Sequence, residues 1–120
     1  MELREYFHNK SGIGVIATAD SEGKVDTAIY SKPRFTDEDN IAFITADRLT
    51  HHNLQSNPHA CYLFKESGEG YKGKRLYLKK TGEETDREVI DRFLGSDRFR
   101  DQKLYMVYFH IEEVRPLVGE

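Results

Sequence analysis

The sequence predicts a mainly β protein: a six-stranded antiparallel barrel carrying short helices. Three observations lead there. Six segments show alternating or continuous apolar character at strand length, polar and glycine-rich clusters separate most of them, and only short stretches show helical spacing.

Taken in order, residues 2–9 place Leu3, Tyr6 and Phe7 on one helical face, and Gly12 and Gly14 break that helix. The run GVIATA (14–19) reads as a buried strand and DSEGK (20–24) as a turn. In VDTAIYSKPRF (25–35), Val25, Thr27 and Ile29 point one way, while Ala28 and Tyr30 point the other. Pro33 lacks an N–H, so it ends this ladder or places it on a sheet edge. TDEDN (36–40) turns again, and IAFITA (41–46) is the third strand.

A helix of about ten residues follows, starting near Asp47 or Arg48 and stopped by Pro58, because the residue before proline avoids helical geometry. HACYLFKE (59–66) is the fourth strand, SGEGYKGK (67–74) a glycine-rich loop and RLYLKKTG (75–82) the fifth strand. Thr85 and Glu88 have capping-box spacing, Val89, Ile90, Phe93 and Leu94 give an apolar helical face, and Gly95 suits a C-terminal cap. KLYMVYFHIEEVRP (103–116) is a long sixth strand.

The 120 residues suit a single domain over 1–120. At 38% apolar and 32% charged, the chain is polar for its size; either a partner subunit contributes stability or the surface is simply well charged. A net charge of −3 argues against broad nucleic-acid binding. No apolar run approaches the ~18 residues of a membrane span. The N-terminus MELREYFHNK is too polar for a signal peptide, and Cys61 has no partner for an internal disulfide. These points favour the cytoplasm.

Two glycine patterns imitate nucleotide sites. GIGVIA (12–17) opens a strand, and GEGYKG (68–73) joins two strands, so neither supplies the strand–glycine–helix order that presents a helix N-terminus to a pyrophosphate. GEGYKGKR (68–75) misses the P-loop because Arg75 stands where a magnesium-binding hydroxyl belongs. Metal binding is not expected: His51 and His52 are adjacent and diverge on a helix, and His59 lies beyond Pro58. Cys61 sits in an apolar run, where a thiol is inert.

The stretch TADRLTHHNLQSNPHA (45–60) suits an anion better. Free N–H groups of a helix start attract negative charge, Arg48 adds a planar cation and Thr50 a hydroxyl. An ordinary capped helix with a surface arginine fits the same residues.

GVIATADSEGKVDTAIYSKPRF and IAFITADRLTHHNLQSNPHACYLF together resemble the pyridoxamine 5′-phosphate oxidase-like FMN-binding split-barrel superfamily. An A-T-x-x-x-x-G start (17–23) and a helix closing in N-L-x-x-N-P (53–58) carry the likeness, which extends less sharply through YKGKRLYL (71–78). The resemblance implies a homodimeric flavoprotein with FMN at the subunit interface, acting as an oxidoreductase on an unidentified small molecule. FAD, F420 or haem are the alternative cofactors, and a non-catalytic store or sensor is the alternative role. By position, Ala28, Ile29, Tyr30 and Ser31 would lie along the flavin ring and ribityl chain, and Thr45, Arg48, Leu49 and Thr50 around the chain and phosphate. Many members carry an Arg-Lys pair where this chain has Leu49-Thr50, so Arg48 supplies the charge one residue earlier. No side chain stands out as a general acid or base, and His51 and His52 are expected to be supporting residues. Pyridoxamine phosphate oxidases proper are longer, and vitamin B6 oxidation is not expected.

Overall fold

A computed structural model describes residues 2–94 and 101–119. The chain runs through α1 (Leu3–Asn9), β1 (Gly12–Ala19), β2 (Val25–Tyr30), β3 (Arg34–Phe35), β4 (Asn40–Ala46) and α2 (Leu49–Ser56). It continues through β5 (His59–Glu66), β6 (Gly73–Glu84), α3 (Arg87–Leu94) and β7 (Leu104–Pro116). The strands form one antiparallel sheet in the order β2-β1-β5-β6-β7-β4-β3.

Alternation explains the curvature. Ile16, Tyr62, Phe64, Leu76, Leu78 and Phe109 come from four strands and are fully buried on the inner face. Each contributes roughly 1.5–3 kcal/mol on burial. Phe7 of α1 plugs one end, with its ring 5.1 Å from Phe64 and 6.0 Å from Phe35. A smaller cluster of Ala42, Ile90, Leu104 and Met106 lies where α3 packs on the sheet.

The barrel is open between β2 and β4, since no ladder joins them among the described residues. Side chains close the gap instead. The Tyr30 ring meets Phe43 edge-on at 5.8 Å, and its hydroxyl bonds Thr45 Oγ1. The chain crosses the same gap through residues 31–33: β2 is one edge of the sheet and β3 the other.

The sheet has seven strands rather than the expected six. The extra one is β3, whose two residues pair with Ile41 and Ala42 once Pro33 has broken the run. A two-residue strand has no periodicity to read. The expected ten-residue helix is α2, eight residues long. The capping box at Thr85 does not form. Glu84 accepts from the backbone N–H of Thr85 and of Asp86, and Asp86 caps α3 by accepting from Glu88 N at 2.9 Å. The C-terminal cap expected at Gly95 lies outside the described residues. Gly68 and Gly70 have positive φ, as the glycine-rich hairpin loop requires.

Candidate functional site

A cleft of about 550 Å³ opens at the split. Tyr30 and Ser31 form one wall, Phe43, Ile44 and Thr45 of β4 the other, and Arg48 stands at one end. Lys32 and Arg34 also line it. The cleft therefore has three cations and, among its described lining residues, no carboxylate.

Each wall is held locally. At the end of β2, the Tyr62 hydroxyl donates to the Ser31 carbonyl at 3.0 Å, and the Tyr30 carbonyl lies 3.4 Å from the same oxygen. Gly14 makes this possible, because a Cβ there would collide with the Tyr62 hydroxyl. On the facing strand, Thr45 Oγ1 donates to the Ala46 carbonyl at 3.2 Å. A hydroxyl has one hydrogen, so the Tyr30 hydroxyl donates in the Tyr30–Thr45 bond. Burial pushes the Tyr62 phenol well above its ordinary range, which keeps it a donor.

The start of α2 is the polar end of the site. Arg48 is its N-cap in extended geometry, and no side chain caps the helix. The first-turn N–H groups thus keep their donor capacity, and the helix dipole adds partial positive charge. Asp47 does not cap; its carboxylate lies 3.9 Å from His51 Nδ1. Among the described residues, the guanidinium groups of Arg48 and Arg34 form no hydrogen bond or ion pair. This donor set fits an anionic group such as a phosphate.

His51 is a structural anchor rather than a surface residue. It is 7% exposed and stacks on Tyr105, with ring centroids 3.7 Å apart and planes 17° from parallel. Its Nε2 lies 2.9 Å from Glu83 Oε1, which also accepts from Lys80 Nζ at 2.8 Å and Gln55 Nε2 at 2.6 Å. Partial burial alone would raise the Glu83 carboxyl. Hydrogen bonds from Lys80, Gln55 and His51 outweigh it and hold the group at about 2. Further along the helix, the buried Asn53 side chain donates to Thr18 Oγ1 at 3.1 Å. Both contacts fix α2, and with it Arg48, against the sheet.

No protein-family model matches the chain, and no curated protein does. Solved structures do. One is an FMN-binding protein from Syntrophomonas wolfei subsp. wolfei: TM-score 0.80 and 18% identity, over 99% of this chain and 86% of that one. A candidate pyridoxamine 5′-phosphate oxidase from Lactobacillus delbrueckii has a TM-score of 0.72 and 15% identity, over 92% of this chain and 88% of its own. An F420 reductase has a TM-score of 0.73 and 12% identity, over 92% and 94%. The chain has the split-barrel fold of pyridoxamine 5′-phosphate oxidase-like proteins.

Within this split barrel, Ile29, Tyr30, Ser31, Thr45 and Arg48 of the expected site residues line the cleft together. Ala28 is half-buried against the core, Thr50 is buried, and Leu49 is 54% exposed; none of the three lines the cleft. Lys32 and Arg34 were not among the expected residues. The signal for them was two cations bracketing Pro33 directly after the β2 run. Among the described residues, no group of three or more His, Cys, Asp or Glu side chains is placed to hold a metal ion. Burial pushes the Cys61 thiol up against the opposing pull of Arg75, so it is a poor nucleophile. No helix among the described residues is long and apolar enough to cross a membrane.

Proposed function

We propose that this split barrel binds FMN in the cleft between β2 and β4 and works as a homodimeric flavoprotein oxidoreductase on a small molecule. The observation carrying this reading is a cleft whose described lining holds no carboxylate and which ends at an uncapped helix start where, among the described residues, the Arg48 side chain is unpaired. Arg48 and the first-turn N–H groups of α2 would hold the phosphate. The β2 end at Ile29, Tyr30 and Ser31 would position the ring, and Ile44, Leu94 and Leu104 would exclude water beside it. FMN, when bound, supplies the electron-transfer chemistry, leaving binding and orientation to the protein. The FMN-binding, oxidase-type and F420-reductase neighbours support a flavin-type ligand.

The outer face of the sheet supports a dimer. Val25 and Ile29 on edge strand β2 are 76% and 79% exposed, and Ile29, Val15 and Leu63 sit side by side across β2, β1 and β5. Such a run of apolar side chains on the outer face would suit a subunit interface.

The decisive experiment is an absorption spectrum after adding FMN and desalting. Retained flavin is expected. A protein that stays colourless would overturn the reading, and a haem or F420 spectrum would change the cofactor. Arg48→Ala should weaken FMN by roughly 1–3 kcal/mol, as loss of a charged hydrogen bond does. The described cleft lining offers no carboxylate, histidine or cysteine as a proton-transfer group, which also suits a flavin store or sensor. Reduction of bound FMN by NAD(P)H, followed by reoxidation, selects the enzyme over the store.

A further inference from the structure

His51 lies in the first turn of α2, just past Arg48, and its buried side chain does not line the cleft. Charged and aromatic groups from several elements face it. Glu83 of β6 meets Nε2 at 2.9 Å, and Lys80 of the same strand pairs with the same carboxylate oxygen. Tyr105 of β7 stacks on the ring and pairs in register with Thr45 of the cleft wall. Lys103, just before β7, stands over the Tyr105 ring with Nζ 5.4 Å from the centroid. Asp47, ahead of the helix, places a carboxylate oxygen 3.9 Å from Nδ1. Both nitrogens of one buried imidazole thus face acidic groups.

The two nitrogens have different roles. Glu83, held at about 2, is ionised at neutral pH and can only accept hydrogen bonds. Gln55 Nε2 uses its two hydrogens on Glu83 Oε1 at 2.6 Å and on the His51 carbonyl at 3.2 Å. The hydrogen between His51 and Glu83 therefore sits on His51 Nε2, and Nδ1 is the position left to gain or lose a proton. Imidazole is the side chain whose charge ordinarily changes between pH 5 and 8. In a first helical turn the dipole opposes a cation, and so do Lys80 and Lys103, while Glu83 and Asp47 favour it. An anion arriving at the helix start joins the favouring side. Protonation at Nδ1 in turn offsets the Asp47 charge, which would otherwise repel that anion.

We propose that His51 is a proton-linked positioning residue: Nδ1 takes a proton from solvent as the ligand's phosphate settles at the start of α2, so affinity falls as pH rises. The proposal rests on the cleft being the flavin site with its phosphate at that helix. Glu83 and Tyr105 hold the ring in place in either charge state, so what changes is the charge beside the helix start rather than the packing of α2. The linkage is reciprocal: a pH that discharges the ring also loosens the ligand.

Calorimetric titration of FMN in two buffers of different ionisation heat counts the protons exchanged on binding. More protons are expected to be taken up by the wild-type protein than by His51→Gln, and an FMN dissociation constant that weakens roughly fivefold or more from about pH 6 to about pH 8. A phosphate meeting cations releases protons, so uptake has the opposite sign to its own titration. Riboflavin, which lacks the phosphate, should show no uptake. Asp47→Asn, at an exposed side chain, should bind FMN more tightly at the upper pH and flatten the profile. Equal proton counts in wild type and His51→Gln would overturn the proposal, as would equal uptake with riboflavin. Should His51→Gln fail to fold, Asp47→Asn decides, and a profile as steep as the wild type's overturns the proposal. If FMN binds at no pH, the flavin reading fails on its own. Sulfate, whose charge is constant over this range, then replaces FMN: His51-dependent uptake keeps the linkage, and its absence ends it.

Discussion

Gly14 shows how one missing side chain shapes the cleft. Its absent Cβ leaves room for the Tyr62 hydroxyl, which holds the Ser31 carbonyl and so sets where β2 ends. Gly14→Ala should cost roughly 1–3 kcal/mol through overpacking and weaken ligand binding as well. Tyr62→Phe removes only the hydrogen bond and should cost about 1 kcal/mol. Urea unfolding of both variants checks the order; equal midpoints would mean that the hydroxyl, not the space, matters. Glycine at this position was visible in the sequence, but its reason was not: the colliding atom lies 48 residues away on β5. Arg34 was hidden for a related cause, because its place beside β4 depends on the chain leaving one sheet edge and joining the other.

At the scale of elements, α2 is positioned from both ends. Thr18 of the A-T-x-x-x-x-G start and Asn53 of the N-L-x-x-N-P close are hydrogen-bonded and buried. These motifs were legible because they record how α2 packs on β1. Asn53→Ala would strand the Thr18 hydroxyl and should cost roughly 1–3 kcal/mol in a denaturation experiment. The other anchor, His51 to Glu83, was not legible: the partners lie 32 residues apart, and Glu83 reaches α2 just past a register shift between Lys80 and Gly82. Its signature is acid sensitivity. Glu83 is held at about 2 in the folded protein, against an ordinary 4.5. The unfolded chain therefore binds more protons between these values. The stabilisation is present above the ordinary value and fades as pH falls through the window towards about 2. Glu83→Gln should flatten the stability–pH curve there. An unchanged slope would assign the acid sensitivity to other carboxyls.

For the whole molecule, the six longer strands were readable from alternation and turn chemistry, whereas their spatial order was not, since neighbours such as β4 and β7 are distant in sequence. The outer face of β2 gives a further prediction. Ile29→Glu places charge in the proposed interface and should shift sedimentation from dimer to monomer; a dimer that persists would put the contact elsewhere. Ligand linkage gives another: FMN at 100 times its dissociation constant should stabilise the fold by about 2.7 kcal/mol, seen as a raised melting temperature.

The strand order carries one more consequence. β7 lies between β6 and β4, so among the described residues it is the strand whose backbone pairing joins the block β2-β1-β5-β6 to the pair β4-β3. The two walls of the cleft belong to different blocks. While the chain is being made, everything up to α3 can leave the ribosome with two sheet edges still unpaired, and the site does not exist until β7 slots in. Chaperone demand should peak in that interval, and a nascent chain would become able to take up its ligand only after β7 has emerged.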